Sequence, residues 1–110
     1  MICDRYETII VPFPFAEIPA VKRRPVVVLS GPGFNARNKA SAVAMLTTAK
    51  DSAWPSDIPI IDLTAAGLPK NCVVRWRLAT IPNDLILNRI GVLGVEDSLA
   101  CERELARMFA

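Results

Sequence analysis

Residues 22–30 of the chain read KRRPVVVLS, and this stretch points to a β-rich fold. The run VVVL is too short for a helix and its three valines are β-branched, so it predicts a buried strand that Pro25 opens. Three cations stand directly before that strand. A guanidinium group is costly to bury unless an anion meets it, so the anion belongs either to the protein or to a ligand.

Short strands separated by turn residues are predicted along most of the chain. Besides VVVL, we predict strands over residues 8–15, 41–49, 58–63, 72–80 and 89–93. Pro12 and Pro14 limit the pairing of the first of these and place it at a sheet edge or a strand end. The glycines and Pro32 in residues 31–35 predict a turn, and residues 82–87 predict one helical turn.

The clearest alternation lies in residues 72–80, CVVRWRLAT. It predicts one face with Val74, Trp76 and Leu78 and an opposite face with Val73, Arg75 and Arg77. Two arginines spaced in this way suit contact with successive phosphates of a single nucleic-acid strand. Trp76 is expected in the core, whereas Trp54, in a polar loop beside Pro55, is a candidate for stacking on a base.

A C-terminal helix is predicted from residue 95 to about residue 109, capped by Gly94. Its apolar side is expected to comprise Val95, Leu99, Leu105, Ala106, Met108 and Phe109. Several strands and one terminal helix predict a mainly β (α+β) fold in a single domain, residues 1–110. A small SH3-like barrel with the helix packed on it fits this pattern, and so does a small open sheet.

Composition excludes several kinds of chemistry. The chain has no histidine, so serine–histidine and cysteine–histidine pairs are impossible, and no metal or cofactor is expected. Cys3, Cys72 and Cys101 are odd in number and lack CxxC spacing, which indicates a reducing compartment. No segment approaches the roughly 20 apolar residues of a membrane span. We therefore expect a cytoplasmic protein without membrane contact.

Positive charge is concentrated in residues 21–50, although the net charge is only +2. That block contains no Asp or Glu, and its cations are Lys22, Arg23, Arg24, Arg37, Lys39 and Lys50. Residues 71–90 add three arginines against a single aspartate. Such segregation favours a polyanionic partner.

Four stretches in this order resemble the PemK/MazF family of toxin–antitoxin ribonucleases, and more closely its VPFPF-containing branch. They are IIVPFPFAE (9–17), KRRPVVVLS (22–30), AMLTTAK (44–50) and VVRWRLATIPNDLILNRIGVL (73–93). Together with the ED pair at 96–97, they span nearly the whole chain. The resemblance implies an SH3-like barrel that acts as a homodimer and is neutralised by a cognate antitoxin.

The resemblance also implies a toxin that cleaves single-stranded RNA, including mRNA, sequence-selectively and without a metal ion. On this basis Arg24, which directly precedes the strand proline, and Thr47 are predicted to form the catalytic pair. Arg24 would stabilise the transition state, and Thr47 would fix a phosphate oxygen. Lys22 and Arg23 are expected to contact backbone phosphates, together with Arg75, Arg77 and Trp54. Alternatively, Arg24 pairs with Glu7 or Glu17 and only caps the strand, with no part in catalysis.

The chain departs from the family pattern where a proton acceptor is needed. Arg77 replaces an aspartate that some members use, the histidine of other members is absent, and Glu17 is the candidate acid–base group in their place. Tyr6 stands where strand one often begins with glycine. Two alternatives therefore stay open: a cleavage-inactive RNA-binding barrel, and a gyrase-binding toxin of the CcdB type. Phe13 and Phe15 are expected in the core or in a dimer interface.

Overall fold

The computed structural model describes residues 1–13, 22–48 and 53–110, and its strands form one antiparallel sheet. In chain order the elements are β1 (Glu7–Phe13), β2 (Lys22–Val28), α1 (Pro32–Asn38), β3 (Ala40–Thr48), β4 (Ile58–Pro59), β5 (Cys72–Pro82), β6 (Asn88–Val92) and α2 (Val95–Met108). The 3₁₀ turn Asn83–Leu85 joins β5 to β6. Across the sheet the order is β4-β5-β3-β2-β1-β6. The expected mainly β fold with a C-terminal helix is confirmed, and the sheet curls into a half-barrel.

Apolar side chains cover both faces of the sheet, because alternate residues of each strand point to opposite sides. The helix-side core, which α2 covers, includes Val27, Ala44, Leu46, Val74, Trp76 and Cys101. The opposite core includes Ile9, Val11, Val26, Val28, Val43 and Met45. The strands β2 and β3 are therefore buried on both sides, and functional side chains are left to the strand ends.

Residues 32–38 form a helix, and the prediction of a simple turn there was wrong. Pro32 occupies the first turn, where its missing N–H costs nothing. Asn35 is fully buried, and its side-chain amide donates to the carbonyl oxygen of Cys3 at 3.0 Å. Asn83 in turn donates to the carbonyl of Asn35 at 2.9 Å. Long-range partners of this kind stabilise α1, and they have no signature in the local sequence.

The terminal helix has the predicted bounds within a residue, but it packs through a different side. Asp97 and Cys101 are its buried residues, whereas Val95 and Phe109 are 77% and 76% exposed. The predicted apolar side is therefore largely in solvent, except for Leu105, which is partly buried against the helix-side core. Among the described residues, no helix is long and apolar enough to cross a membrane.

The strand predicted over residues 58–63 is limited to Ile58–Pro59. The amide of Ile60 still donates to the carbonyl of Cys72 in β5 at 3.0 Å, but the two amides after it bind a carboxylate. The Asp97 carboxylate accepts hydrogen bonds from the amides of Ile61, at 3.0 and 3.2 Å, and Asp62, at 3.0 Å. Hydrogen bonds to a charged acceptor are among the stronger ones in proteins. The first turn of α2 therefore fixes the start of the loop that runs from residue 61 to β5.

The alternation predicted for β5 is kept along the strand, since Val74 and Trp76 are buried in the helix-side core and Ala79 packs against the opposite core. Trp76 donates to the carbonyl of Ser56 at 2.9 Å. Opposite β3, Ala44 pairs with Leu78 but the next residue, Met45, pairs with Arg75, so the two residues between them form a bulge. Leu78 stays on the face of Val74 and Trp76, although it is 44% exposed.

Candidate nucleic-acid interface

Arg24 and Thr47 are brought together at the ends of two neighbouring strands. Val26 of β2 pairs with Met45 of β3, and continuing this antiparallel register by two residues places Arg24 opposite Thr47. Both residues are half-buried and line the same two cavities. Directly opposed residues on one sheet face have side chains in contact distance. The predicted catalytic pair thus lies at the neighbouring ends of β2 and β3, where both residues line the same two cavities.

The first cavity, here called the arginine groove, has a volume of about 220 Å³. Its lining residues are Phe13, Arg24, Met45, Leu46, Thr47, Arg75 and Arg77. The Arg24 guanidinium carbon lies 5.9 Å from the centre of the Phe13 ring, close enough for a cation–π contact. Three guanidinium groups therefore converge on a space that none of the described carboxylates lines.

Arg75 is held in this groove by Asp57. Its Nε and Nη2 atoms donate to the two carboxylate oxygens of Asp57 at 3.2 and 2.8 Å, and the side chains are 11% and 10% exposed. Hydrogen bonding to Arg75 lowers the pKa of Asp57 below its usual value of 3.8. Asp57 is thus ionised at neutral pH, and it neutralises part of the charge that Arg75 brings to the groove.

Trp54 lies beside both β5 arginines. The centre of its ring is 5.8 Å from the Arg75 guanidinium carbon and 5.9 Å from that of Arg77. Its amide donates to the Asp57 carboxylate at 3.0 Å, which ties the loop to the ion pair. The ring is 37% exposed. The structure therefore brings the three predicted contacts Trp54, Arg75 and Arg77 together next to the predicted catalytic pair.

The second cavity, here called the basic pocket, adjoins Arg24 and Thr47 and has a volume of about 530 Å³. Its cationic lining residues are Lys22, Arg23, Arg24 and Lys70, and its apolar ones include Ile10, Leu46, Leu68 and Ile90. No described carboxylate lines this pocket either. Lys70 was not predicted from the sequence, because only the fold of the loop before β5 places it next to β2 and β3.

The described carboxylates provide no general base for the pair. Asp57 is engaged by Arg75, and Glu7 pairs with Arg89, whose Nε lies 3.1 Å from its Oε2. The alternative pairing of Arg24 with Glu7 is therefore not what the structure shows. Glu17 and Phe15 lie outside the described residues, so their predicted roles stay predictions.

The cysteines do not supply a nucleophile in their resting state. All three are free and buried. Cys72 lines the basic pocket, and burial raises the pKa of its thiol above the ordinary 9.0. A protonated thiol is a weak nucleophile. Among the described residues that line the two cavities, the polar groups left for chemistry are therefore guanidinium, ammonium and hydroxyl groups.

The chain matches a known protein family along most of its length. The family model described as PemK-like, MazF-like toxin of type II toxin–antitoxin system matches residues 4–109. No curated protein sequence matches the chain. The VPFPF-containing branch is not distinguished by these comparisons and stays a prediction.

Solved structures share the fold along almost the full length. A MazE–MazF complex from Deinococcus radiodurans matches with a TM-score of 0.79 at 12% identity, covering 99% of this chain and 97% of that one. The Mycobacterium tuberculosis toxin MazF-mt6 matches at 0.74 and 23% identity, covering 94% and 95%. An endoribonuclease bound to its cognate antitoxin, from mycobacterial species, matches at 0.74 and 13% identity, covering 98% and 93%. The chain belongs to the PemK-like, MazF-like family of toxins of type II toxin–antitoxin systems.

Proposed function

We propose that the protein is an endoribonuclease that cleaves single-stranded RNA, including mRNA, without a metal ion. The observation that carries the proposal is that Arg24 and Thr47, at the neighbouring ends of β2 and β3, both line the same two cation-rich cavities. A guanidinium can donate two parallel hydrogen bonds to a phosphate, and it keeps its charge at any physiological pH.

In the proposed reaction the 2′-hydroxyl next to the scissile phosphate attacks phosphorus. The P–O5′ bond breaks, the 2′-hydroxyl proton is lost and the 5′-oxygen gains one, so the products are a 2′,3′-cyclic phosphate and a 5′-hydroxyl. Arg24 stabilises the charge that develops on the non-bridging oxygens, and the Thr47 hydroxyl holds one of them in place. The transition state is thus stabilised mainly by electrostatics and positioning.

The neighbouring side chains would hold the rest of the strand. Arg77 is exposed and unpaired with any described carboxylate, so it can meet the next phosphate along the RNA. Trp54 presents part of its ring beside Arg77, where a base can stack. Selectivity for particular RNA sequences then follows from how such neighbouring subsites accept bases.

The proposed partners are a cognate antitoxin and a second copy of the chain. Two of the solved relatives are complexes with antitoxins. A cation-rich surface also complements an acidic disordered segment. Both partnerships can be read from the mass of the purified complex in solution.

The experiment that tests the proposal is incubation of the purified protein with a long single-stranded RNA in EDTA, followed by analysis of the new ends. Discrete products with 2′,3′-cyclic phosphate and 5′-hydroxyl ends support it. Intact RNA with retained binding contradicts it and favours the inactive RNA-binding alternative, which the lack of a general base among the described residues already motivates.

A further inference from the structure

One carboxylate joins the turn at residues 54–57 to β5. The Oδ1 atom of Asp57 accepts a hydrogen bond from Nε of Arg75 at 3.2 Å. Its Oδ2 atom accepts one from Nη2 of Arg75 at 2.8 Å and a second from the Trp54 amide at 3.0 Å. The Asp57 amide donates in turn to the Trp54 carbonyl at 3.0 Å. Asp57 therefore holds the first residue of the turn and an arginine of β5 at the same time.

The other contacts of the turn fix its end and not its beginning. The indole of Trp76 donates to the carbonyl of Ser56 at 2.9 Å, and Ile58 pairs with β5 in the sheet. Trp54 and Pro55 are exposed, and Pro55 and Ser56 border a cavity of about 330 Å³ next to the last turn of α2. The position of the Trp54 ring therefore depends strongly on the Asp57 carboxylate.

The charge of Asp57 and its position have opposite effects on the proposed binding of RNA. Its negative charge neutralises part of the positive charge of the arginine groove, which by itself disfavours a polyanion. Its hydrogen bonds place the Trp54 ring 5.8 Å from the Arg75 guanidinium carbon and 5.9 Å from that of Arg77. A ring that is held in place before the ligand arrives loses less entropy on binding.

We propose that Asp57 is a positioning residue of the ribonuclease reaction, which holds the Trp54 ring beside Arg77 through the Arg75 guanidinium and the Trp54 amide. This inference rests on the proposed function and adds a residue that need not touch the RNA. A side chain that acts through others is effective when its own contacts are several and shielded from water. Asp57 accepts three hydrogen bonds, and its side chain is only 10% exposed.

The test is a double-variant cycle that joins Asp57→Asn with Trp54→Ala. Asparagine has nearly the same shape as aspartate but lacks the charge, and a second charged oxygen, that the arginine needs. For wild type, both single variants and the double variant, kcat and KM are measured with a short single-stranded RNA in EDTA. Affinity is measured by anisotropy with a fluorescent form of this RNA whose 2′-fluoro sugars prevent 2′-hydroxyl attack. All assays are run at a temperature at which circular dichroism shows each variant folded.

We expect Trp54→Ala to weaken RNA binding and raise KM by about 5- to 100-fold, the range for loss of a stacked base. Asp57→Asn should produce most of this loss while kcat stays within about twofold of wild type, because uniform binding is removed and Arg24 and Thr47 lie on other strands. In the Asp57→Asn protein, Trp54→Ala should have little further effect. A merely structural role would instead lower the active fraction, and hence the apparent kcat, and leave KM unchanged.

Two further variants separate position from charge and from folding. Asp84→Asn removes the same charge from an exposed residue that lines neither cavity, and KM should not rise. Arg75→Lys keeps the charge of β5 but replaces the two-pronged donor by a single ammonium group, so KM should rise as in Asp57→Asn. If Asp57→Asn does not fold at the assay temperature, Arg75→Lys takes its place in the cycle with Trp54→Ala.

Unchanged or tighter RNA binding by Asp57→Asn overturns the proposal, because charge would then outweigh position. An equal cost of Trp54→Ala in the presence and absence of the Asp57 carboxylate overturns it as well, and so does failure of the wild type to bind RNA. Cleavage without coupling between the two residues rejects the role of Asp57 alone. Coupling in RNA binding without any cleavage rejects the proposed ribonuclease activity and leaves Asp57 as the residue that positions Trp54.

Discussion

The ion pair between Asp57 and Arg75 gives a prediction whose size follows from its geometry. Asp57→Ala removes two hydrogen bonds to the guanidinium, at 3.2 and 2.8 Å, and one from the Trp54 amide at 3.0 Å. It also leaves a guanidinium that is only 11% exposed beside the other groove arginines. Breaking a buried pair costs about 3–5 kcal/mol, and partial exposure here reduces that to about 2–3 kcal/mol.

A loss of this size should lower Tm by about 8–12 °C, at roughly 4 °C per kcal/mol for a domain of this length. The assay is urea and thermal unfolding of wild type, Asp57→Ala, Arg75→Ala and the double variant. The cycle isolates the pair from the other contacts of Arg75. Asp84→Ala, at an exposed carboxylate, is the control and should change stability by less than about 0.5 kcal/mol. A coupling energy below about 0.5 kcal/mol would show that the Asp57–Arg75 pair does not stabilise the fold in this way.

Three further predictions concern Gly67, the carboxylate of Asp57 and the thiol of Cys101. Gly67→Ala should cost about 3 kcal/mol or more, because its Cβ would lie 1.9 Å from the Ile90 carbonyl oxygen and its φ is +67°; unchanged urea unfolding would contradict this. Because the folded-state pKa of Asp57 is below 3.8, its stabilisation is complete above that value and disappears as the pH falls through the folded pKa. The stability difference between wild type and Asp57→Asn should therefore begin to shrink as the pH falls below about 4 and go on shrinking at lower pH, and a constant difference would argue against the pair. Burial raises the pKa of Cys101 to about 12, so iodoacetamide at neutral pH should modify it far more slowly in the native protein than in urea, as mass spectrometry can measure.

The strands could be predicted from sequence because their signals are local. Three valines after Pro25 mark β2, and the bounds of β3, β5 and β6 lie close to those expected from alternation. The helix α1 could not be predicted in this way, since buried Asn35 depends on partners at residues 3 and 83. The prediction of which side of α2 packs on the sheet was largely wrong, because the carboxylate of Asp97 accepts hydrogen bonds from two loop amides. These hydrogen bonds hold a polar residue in a buried position.

The residues of the candidate site that lie in family motifs could be predicted from the sequence. The residues that only the folded chain brings next to them could not. Arg24 and Thr47 stand in motifs, and their strands bring them together. Asp57 lies 18 residues before its partner Arg75, and no local pattern links the two. Lys70 follows a loop whose path depends on the close contact between Gly67 and Ile90. Both residues were therefore missed.

The role of Arg24 as the catalytic cation is tested by the rate of RNA cleavage in EDTA by wild type and Arg24→Ala, with product ends analysed. A folded Arg24→Ala protein is expected to cleave about 10²–10³-fold more slowly, the usual cost of losing one electrostatic contact to a transition state. Arg103→Ala is the matched control, because it removes the same charge from an exposed position on α2. Equal cleavage rates for wild type and Arg24→Ala would contradict the assignment of Arg24 as the catalytic cation.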